Sequence, residues 1–147
     1  MSSEAVLSSH ESRVRVRYGE TDQMGVVYHA GYLLYFEEGR TQLLRDLGVV
    51  YADMERNGFL LVVTEAALRY RSVARYDETV RILTRVTRLT PVRVRFDYDL
   101  RVGDRTVVEG HTVLACLGPD RKPREFPPGV REKLAGPFYE PDRESSE

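Results

Sequence analysis

Residues 92–117 read VRVRFDYDLRVGDRTVVEGHTVLACL. Val92, Val94, Phe96, Tyr98, Leu100 and Val102 alternate with Arg93, Arg95, Asp97, Asp99 and Arg101. Such strict alternation of apolar and charged positions predicts an antiparallel strand with one buried and one solvated face. Gly103-Asp104 has the chemistry of a two-residue hairpin turn, and RTVVEGHTVLACL then returns as a second long strand. This hairpin decides the fold class, because everything around it reads as further strands and one main helix.

Upstream, FLLVVTEAALRYRS (59–72) reads as a strand or a bent pair of strands, and TVRILTRVTRL (79–89) as the next. Thr90-Pro91 marks the turn between that strand and the hairpin. Near the start, Val14, Val16 and Tyr18 alternate with Arg13, Arg15 and Arg17, a strand with one polar face. Between these regions, Leu33, Phe36, Leu43, Leu44 and Leu47 recur at helical spacing over 29–47. The first half of that helix, GYLLYF, is apolar nearly all round and is expected to be buried. Gly48 is its natural C-cap. PPGVREKLA (127–135) predicts a short terminal helix with Pro at its start.

The expected architecture is α+β: about five antiparallel strands, curled around one long central helix. Strands that follow strands exclude a doubly wound parallel sheet. One helix cannot cover every strand, so a second subunit is expected to complete the core or extend the sheet. The expected division is a disordered leader over 1–12, one domain over 13–136 and a flexible acidic tail over 137–147.

At 147 residues, with 41% hydrophobic and 31% charged residues, the chain fits one soluble domain. A net charge of −1 argues against a nucleic-acid or membrane-surface binder. Arg outnumbers Lys 20 to 2, which suits phosphate contacts but equally follows from a compositional bias. The single Cys, Cys116, cannot form an intramolecular disulfide. No apolar run approaches the ~20 residues of a membrane span, and the N-terminus lacks signal-peptide character. A cytoplasmic location is the resulting expectation.

Several chemistries lack a signature. There is no GxSxG elbow, and Ser72 is the only Ser between residues 13 and 136. Cys116 lies in an apolar run, where a thiol is usually inert. His10, His29 and His111 show no metal-ligand spacing, and no phosphate-cradling Gly loop is present. Carboxylate, His and backbone groups remain.

Those groups concentrate in YGETDQMGVVYHAGYLLYFEEGR (18–40). Gly25 permits a tight turn after Asp22. The helical pattern opens near His29, and the first N–H groups of a helix are unpaired and carry positive potential. A thioester or ester carbonyl placed there would gain about 3 kcal/mol per donor as its oxyanion develops. Asp22 could attack that carbonyl or act as base on a water, with Tyr18 and His29 hydrogen-bonding nearby. The plain alternative is that Asp22 makes an Asx turn or a cap and His29 a satisfied polar group.

The same segment closely resembles the signature of the hotdog-fold acyl-CoA thioesterases, nearest the 4-hydroxybenzoyl-CoA thioesterase-like family and its Tol–Pal-associated branch. An Asp, a Gly three residues later and a VYH ending seven after the Asp match together. RYRSVARYDETV (69–80) and RKPREFPPGVRE (121–132) give supporting likeness, so the resemblance spans about residues 13–134. It implies a hotdog fold, assembled as dimers or tetramers. It implies hydrolysis of acyl-CoA without metal or redox cofactor, with CoA along the subunit interface. Asp22 matches the catalytic carboxylate, Tyr18 and His29 its polar partners, and the His29 N–H the oxyanion donor. Arg75, Arg88 and Arg93 lie near the segments that would meet CoA phosphates. Two other functions stay open on this fold: a hydratase or dehydratase, whose HFPG-like motif is absent here, and a non-catalytic acyl-CoA or acyl-carrier-protein binder.

Overall fold

The structure is a computed structural model, and it describes residues 6–136. Its five strands are β1 (Ser8–Arg15), β2 (Leu60–Tyr70), β3 (Thr79–Leu89), β4 (Arg93–Val102) and β5 (Arg105–Leu117). Three α-helices accompany them: α1 (Tyr32–Asp46), α2 (Tyr51–Arg56) and α3 (Val130–Ala135). All strand pairs are antiparallel, in the order β1-β3-β4-β5-β2. The sheet is open, with β1 and β2 as its two edges.

The hairpin forms as its alternation predicts. Arg93 pairs with Ala115 and Val102 with Arg105, around a turn at which Gly103 has φ 60°. Val94, Phe96, Tyr98 and Leu100 are buried together, as are Val80, Ile82, Thr84 and Val86 on β3. Segment 59–72 proves to be a single strand, β2, with a register shift between Val63 and Glu65 rather than a break.

Helix α1 buries Tyr32, Tyr35, Phe36, Gly39, Leu43 and Leu44. Two glycines let it approach closely. The Phe36 ring lies over Gly110 of β5 and stacks on Tyr98, with centroids 4.1 Å apart and planes 5° apart. Gly39 sits against Thr84 and Ile82 of β3. Tyr98 shares a 2.7 Å hydrogen bond with Thr112, so its polar tip is satisfied beneath the helix. The chain then leaves α1 through Gly48, at φ 81°.

Burial of α1 is one-sided, contrary to the expectation for GYLLYF: Leu33 is 39% and Leu34 62% exposed. The helix packs most heavily on β1 and β3, with lighter contact to β4 and the Phe36 ring reaching Gly110 of β5. The edge strand β2 keeps part of its inner face open, with Val63 48% exposed.

Three expectations need correction, and one helix goes unread in the sequence. The leader does not extend to residue 12: Ser8–Ser12 pair in register with Val86–Ile82, and Ser8 donates a 2.9 Å hydrogen bond to Leu134. The first strand ends at Arg15, so Tyr18 falls in a 3₁₀ turn (Tyr18–Glu20) and not on the strand. Helix α2 carries no helical stripe long enough to announce it. The terminal helix begins at Val130, after Gly129 at φ 85°, not at its prolines. The tail expected over 137–147 lies outside the described residues.

Candidate active site

The candidate site is built by two short segments stitched together at the end of the sheet. The first runs from Arg17 to His29. Glu20 organises its start. One carboxylate oxygen accepts the Arg17 N–H at 2.8 Å and the Tyr35 hydroxyl at 2.9 Å, and the other meets the Arg17 guanidinium at 3.3 Å. Burial pushes the Glu20 carboxyl up, but these bonds outweigh it and hold it below the usual carboxylate range. Burial and the Glu20 charge push the Tyr35 hydroxyl well above its ordinary value.

The chain then folds back on itself. Thr21 bridges to Val27, the Asp22 N–H donates to Val26 at 2.9 Å, and the Gly25 N–H donates to the Asp22 carbonyl at 3.0 Å. Gly25 has φ 77°, a conformation that L side chains resist. Asp22 Oδ1 accepts the Met24 N–H at 2.8 Å, an Asx turn. Among the described residues nothing bonds to Oδ2. The turn therefore occupies one oxygen of the carboxylate and leaves the other without a hydrogen bond among the described residues.

The second segment, Ser72–Glu78, backs the first. The Val27 N–H donates to the Ala74 carbonyl at 2.9 Å, and Val26 bridges to Arg75. The Ala74 N–H donates to the Tyr32 hydroxyl at 3.2 Å. Arg105 holds this segment from behind, bonding Ser72 Oγ at 3.1 Å, the Val73 carbonyl and Glu78 at 3.4 Å. Burial raises the Tyr32 hydroxyl above its ordinary value; the Ala74 N–H and Arg105 oppose that, while Tyr70 and Asp22 add to it.

The helix start is a 3₁₀ turn (His29–Gly31) running directly into α1. Among the described residues, no group accepts a hydrogen bond from the N–H of His29 or of Ala30. Both are orphan donors of a helix start. The His29 ring packs against Tyr28, with centroids 4.4 Å apart, and lies edge-on to Tyr70 at 6.4 Å. The Tyr70 hydroxyl donates to the His29 carbonyl at 2.9 Å.

The sequence-derived residues fare differently. Asp22 sits in the turn closed by the Thr21–Val27 bridge, and the helix start follows that turn in sequence at His29. Tyr18 is 78% exposed and stands edge-on to Tyr76 with centroids 5.7 Å apart. Neither the Tyr18 hydroxyl nor the His29 imidazole hydrogen-bonds Asp22 within one chain. Arg75 flanks the Asp22 turn through Val26. Arg88 and Arg93 sit at the opposite end of the sheet, where the Cys116 N–H bonds the Val92 carbonyl. Cys116 pairs with Leu61 and Val108 with Tyr70, so these ends lie roughly 30 Å apart along β2 at ~3.3 Å per residue. Glu20, Tyr70 and Arg105 organise the site without having been singled out by sequence pattern. Only Glu20 left a trace, as the carboxylate two residues before Asp22.

Two clefts stand out among the described residues, and neither is lined by Asp22. One, of about 400 Å³, lies between α1, α2 and the start of β2, with Leu44, Val49, Tyr51 and Leu61 on its walls. The other, of about 570 Å³, lies on the outer face of the sheet among Arg69, Arg85, Asp97 and Glu109. Among the described residues no three His, Cys, Asp or Glu side chains converge as a metal-ligand set.

An open antiparallel sheet around one long helix, with a carboxylate turn at the helix start, defines the hotdog class. Residues 16–134 match the family described as the thioesterase-like superfamily, and the chain belongs to that family. It is 30% identical over 119 residues to the acyl-CoA thioester hydrolase YbgC of Escherichia coli O6:H1, covering 80% of this chain and 89% of that one. It is 47% identical over 74 residues to YneP of Bacillus subtilis, a match spanning 50% of this chain and about half (54%) of the relative. The crystal structure of a DHNA-CoA thioesterase from Staphylococcus aureus superposes with a TM-score of 0.77 at 33% identity, covering 80% of both chains. These relatives share the thioesterase class; the Tol–Pal association rests on motif resemblance alone.

Proposed function

We propose that the protein is an acyl-CoA thioesterase, converting acyl-S-CoA and water to a carboxylic acid and CoA-SH. Two features that follow one another in the chain carry this reading: an Asp22 carboxylate tethered through one oxygen, and a helix start with two orphan N–H groups at His29 and Ala30. The thioester carbonyl accepts from those donors. Charge develops on its oxygen as the carbon becomes tetrahedral, and each preorganised donor contributes about 3 kcal/mol there. The free Asp22 Oδ2 either takes a proton from the attacking water or attacks the carbonyl itself, giving an anhydride that water opens. Collapse expels the CoA thiolate, which gains a proton. No step in this chemistry calls for a metal or a redox cofactor. Tyr18 and His29 serve as polar partners of substrate or water, and Arg75 as a contact for CoA phosphate.

The working unit is a homodimer or a pair of dimers. Strand β2 is a long unpaired edge, and α1 leaves Leu33 and Leu34 exposed. Two copies pairing antiparallel along β2 would set residue 60 of one across from residue 70 of the other. That arrangement carries Arg88 and Arg93 of one protomer toward Asp22 of its partner, which a single chain does not do. We assign the protein to the cytoplasm, consistent with a lone buried Cys and with no helix among the described residues long and apolar enough to cross a membrane.

The test is CoA release from short-chain, long-chain and aromatic acyl-CoAs, for wild type and for Asp22→Asn. Asn retains the Oδ1 acceptor of the turn but serves as neither base nor nucleophile, so the rate is expected to fall by several powers of ten. An Asp22→Asn variant with full activity would overturn the assigned role.

A further inference from the structure

We infer that Tyr70 is a positioning residue for the oxyanion donors, a role that rests on the thioesterase reading above. Its hydroxyl donates to the His29 carbonyl at 2.9 Å. Its ring lies edge-on to His29 and 6.0 Å from Tyr32. Three contacts from one side chain therefore hold the first turn of α1 against the end of β2.

The peptide geometry gives this bond its consequence. In a trans peptide the C=O and the following N–H point in opposite directions within one rigid plane. The His29 carbonyl and the Ala30 N–H belong to one such plane. By fixing the carbonyl, Tyr70 fixes the direction of the Ala30 N–H, pointing it away from β2. A donor on the carbonyl also polarises the peptide and strengthens its N–H, as in any hydrogen-bonded chain. The Ala30 N–H is one of the two orphan donors at the helix start, and so becomes an aimed one. Tyr70 need not touch the reacting atoms to do this.

The opening turn has little else to hold it in this geometry. It is 3₁₀ rather than α, with fewer and poorer internal bonds than the helix it leads into. No side chain caps it. Tyr70 stands where a cap would, on the carbonyl side instead of the N–H side.

Tyr70→Phe tests this, since it keeps the ring and its two aromatic contacts and deletes only the hydroxyl. The expected result is a fall in kcat of about tenfold, the size of one lost hydrogen bond. KM for the best acyl-CoA, and the affinity for its non-hydrolysable thioether analogue, are expected within about twofold of wild type. Unchanged kcat would overturn the inference, and so would parallel losses in kcat, analogue affinity and Tm, which mark a merely structural role. The two readings separate cleanly. If wild type releases CoA, Asp22→Asn does not and Tyr70→Phe matches wild type, only the Tyr70 inference fails. If wild type hydrolyses no acyl-CoA, the thioesterase reading fails and takes the inference with it.

Discussion

The Tyr35 hydroxyl and the Glu20 carboxylate, 15 residues apart in sequence, meet at 2.9 Å behind the Asp22 turn. Glu20 also accepts from Arg17, so its folded-state pKa lies below its unfolded value despite burial. A depressed carboxylate stabilises the fold fully above the unfolded pKa of ~4.3, and that stabilisation is lost as pH falls through the folded value. Glu20→Gln keeps an acceptor but carries no proton equilibrium. Urea unfolding from pH 7 to pH 2.5 should show the variant less stable at neutral pH and the gap narrowing below about pH 4. A gap of constant size across that range would count against the assignment.

Gly39 offers a packing test. A Cβ there would strike Thr84 Oγ1 and come within 2.6 Å of Ile82 Cγ2. Alanine is a better helix former by ~1 kcal/mol, yet overpacking a tight core costs about 1–3 kcal/mol. Gly39→Ala is therefore expected to lower Tm. Thr84→Ala in the same chain should recover part of the loss, a non-additivity that thermal melts of the four members of the cycle would reveal.

Val63, on the inner face of edge strand β2, tests assembly. With the dimer proposed above, Val63→Asp introduces an unpaired charge at a buried junction. Sedimentation of wild type should give twice the 16.9 kDa chain mass or a larger multiple, and the variant a greater share of monomer. Activity should fall in step with dimer content. A fully active wild-type monomer would exclude the shared site.

Much of the fold was legible because it obeys short periods. The hairpin from Arg93 to Leu117 could be read from alternation and one Gly-Asp pair, and α1 from its apolar stripe. The misread elements lacked a period of their own. Ser8–Ser12 are polar and became strand because β3 offers them a partner. Tyr18 alternates correctly with Val14 and Val16, yet Glu20 captures the Arg17 N–H and turns the chain. The site divided along the same line. Asp22 and the helix start are close in sequence, so a local motif reveals them. Tyr70 and Arg105 reach the site only through tertiary pairing, and no spacing in the sequence encodes that.

On the mechanism proposed above, the Phe36–Gly110 contact has a kinetic consequence. A side chain at Gly110 would fall on the Ala67 carbonyl and within 2.9 Å of the Phe36 ring, so Phe36 is keyed to a single notch in the sheet. Phe36 follows His29 by seven residues, on the order of 10 Å along a helix axis. The notch therefore meters how far the helix start projects beyond the sheet, much as a stop sets the reach of a rod. A slip of α1 by a fraction of a turn would move the orphan N–H groups away from the position in which the proposed mechanism uses them. Substitutions in this core can then surface first as altered turnover, before any loss of the folded state is measurable.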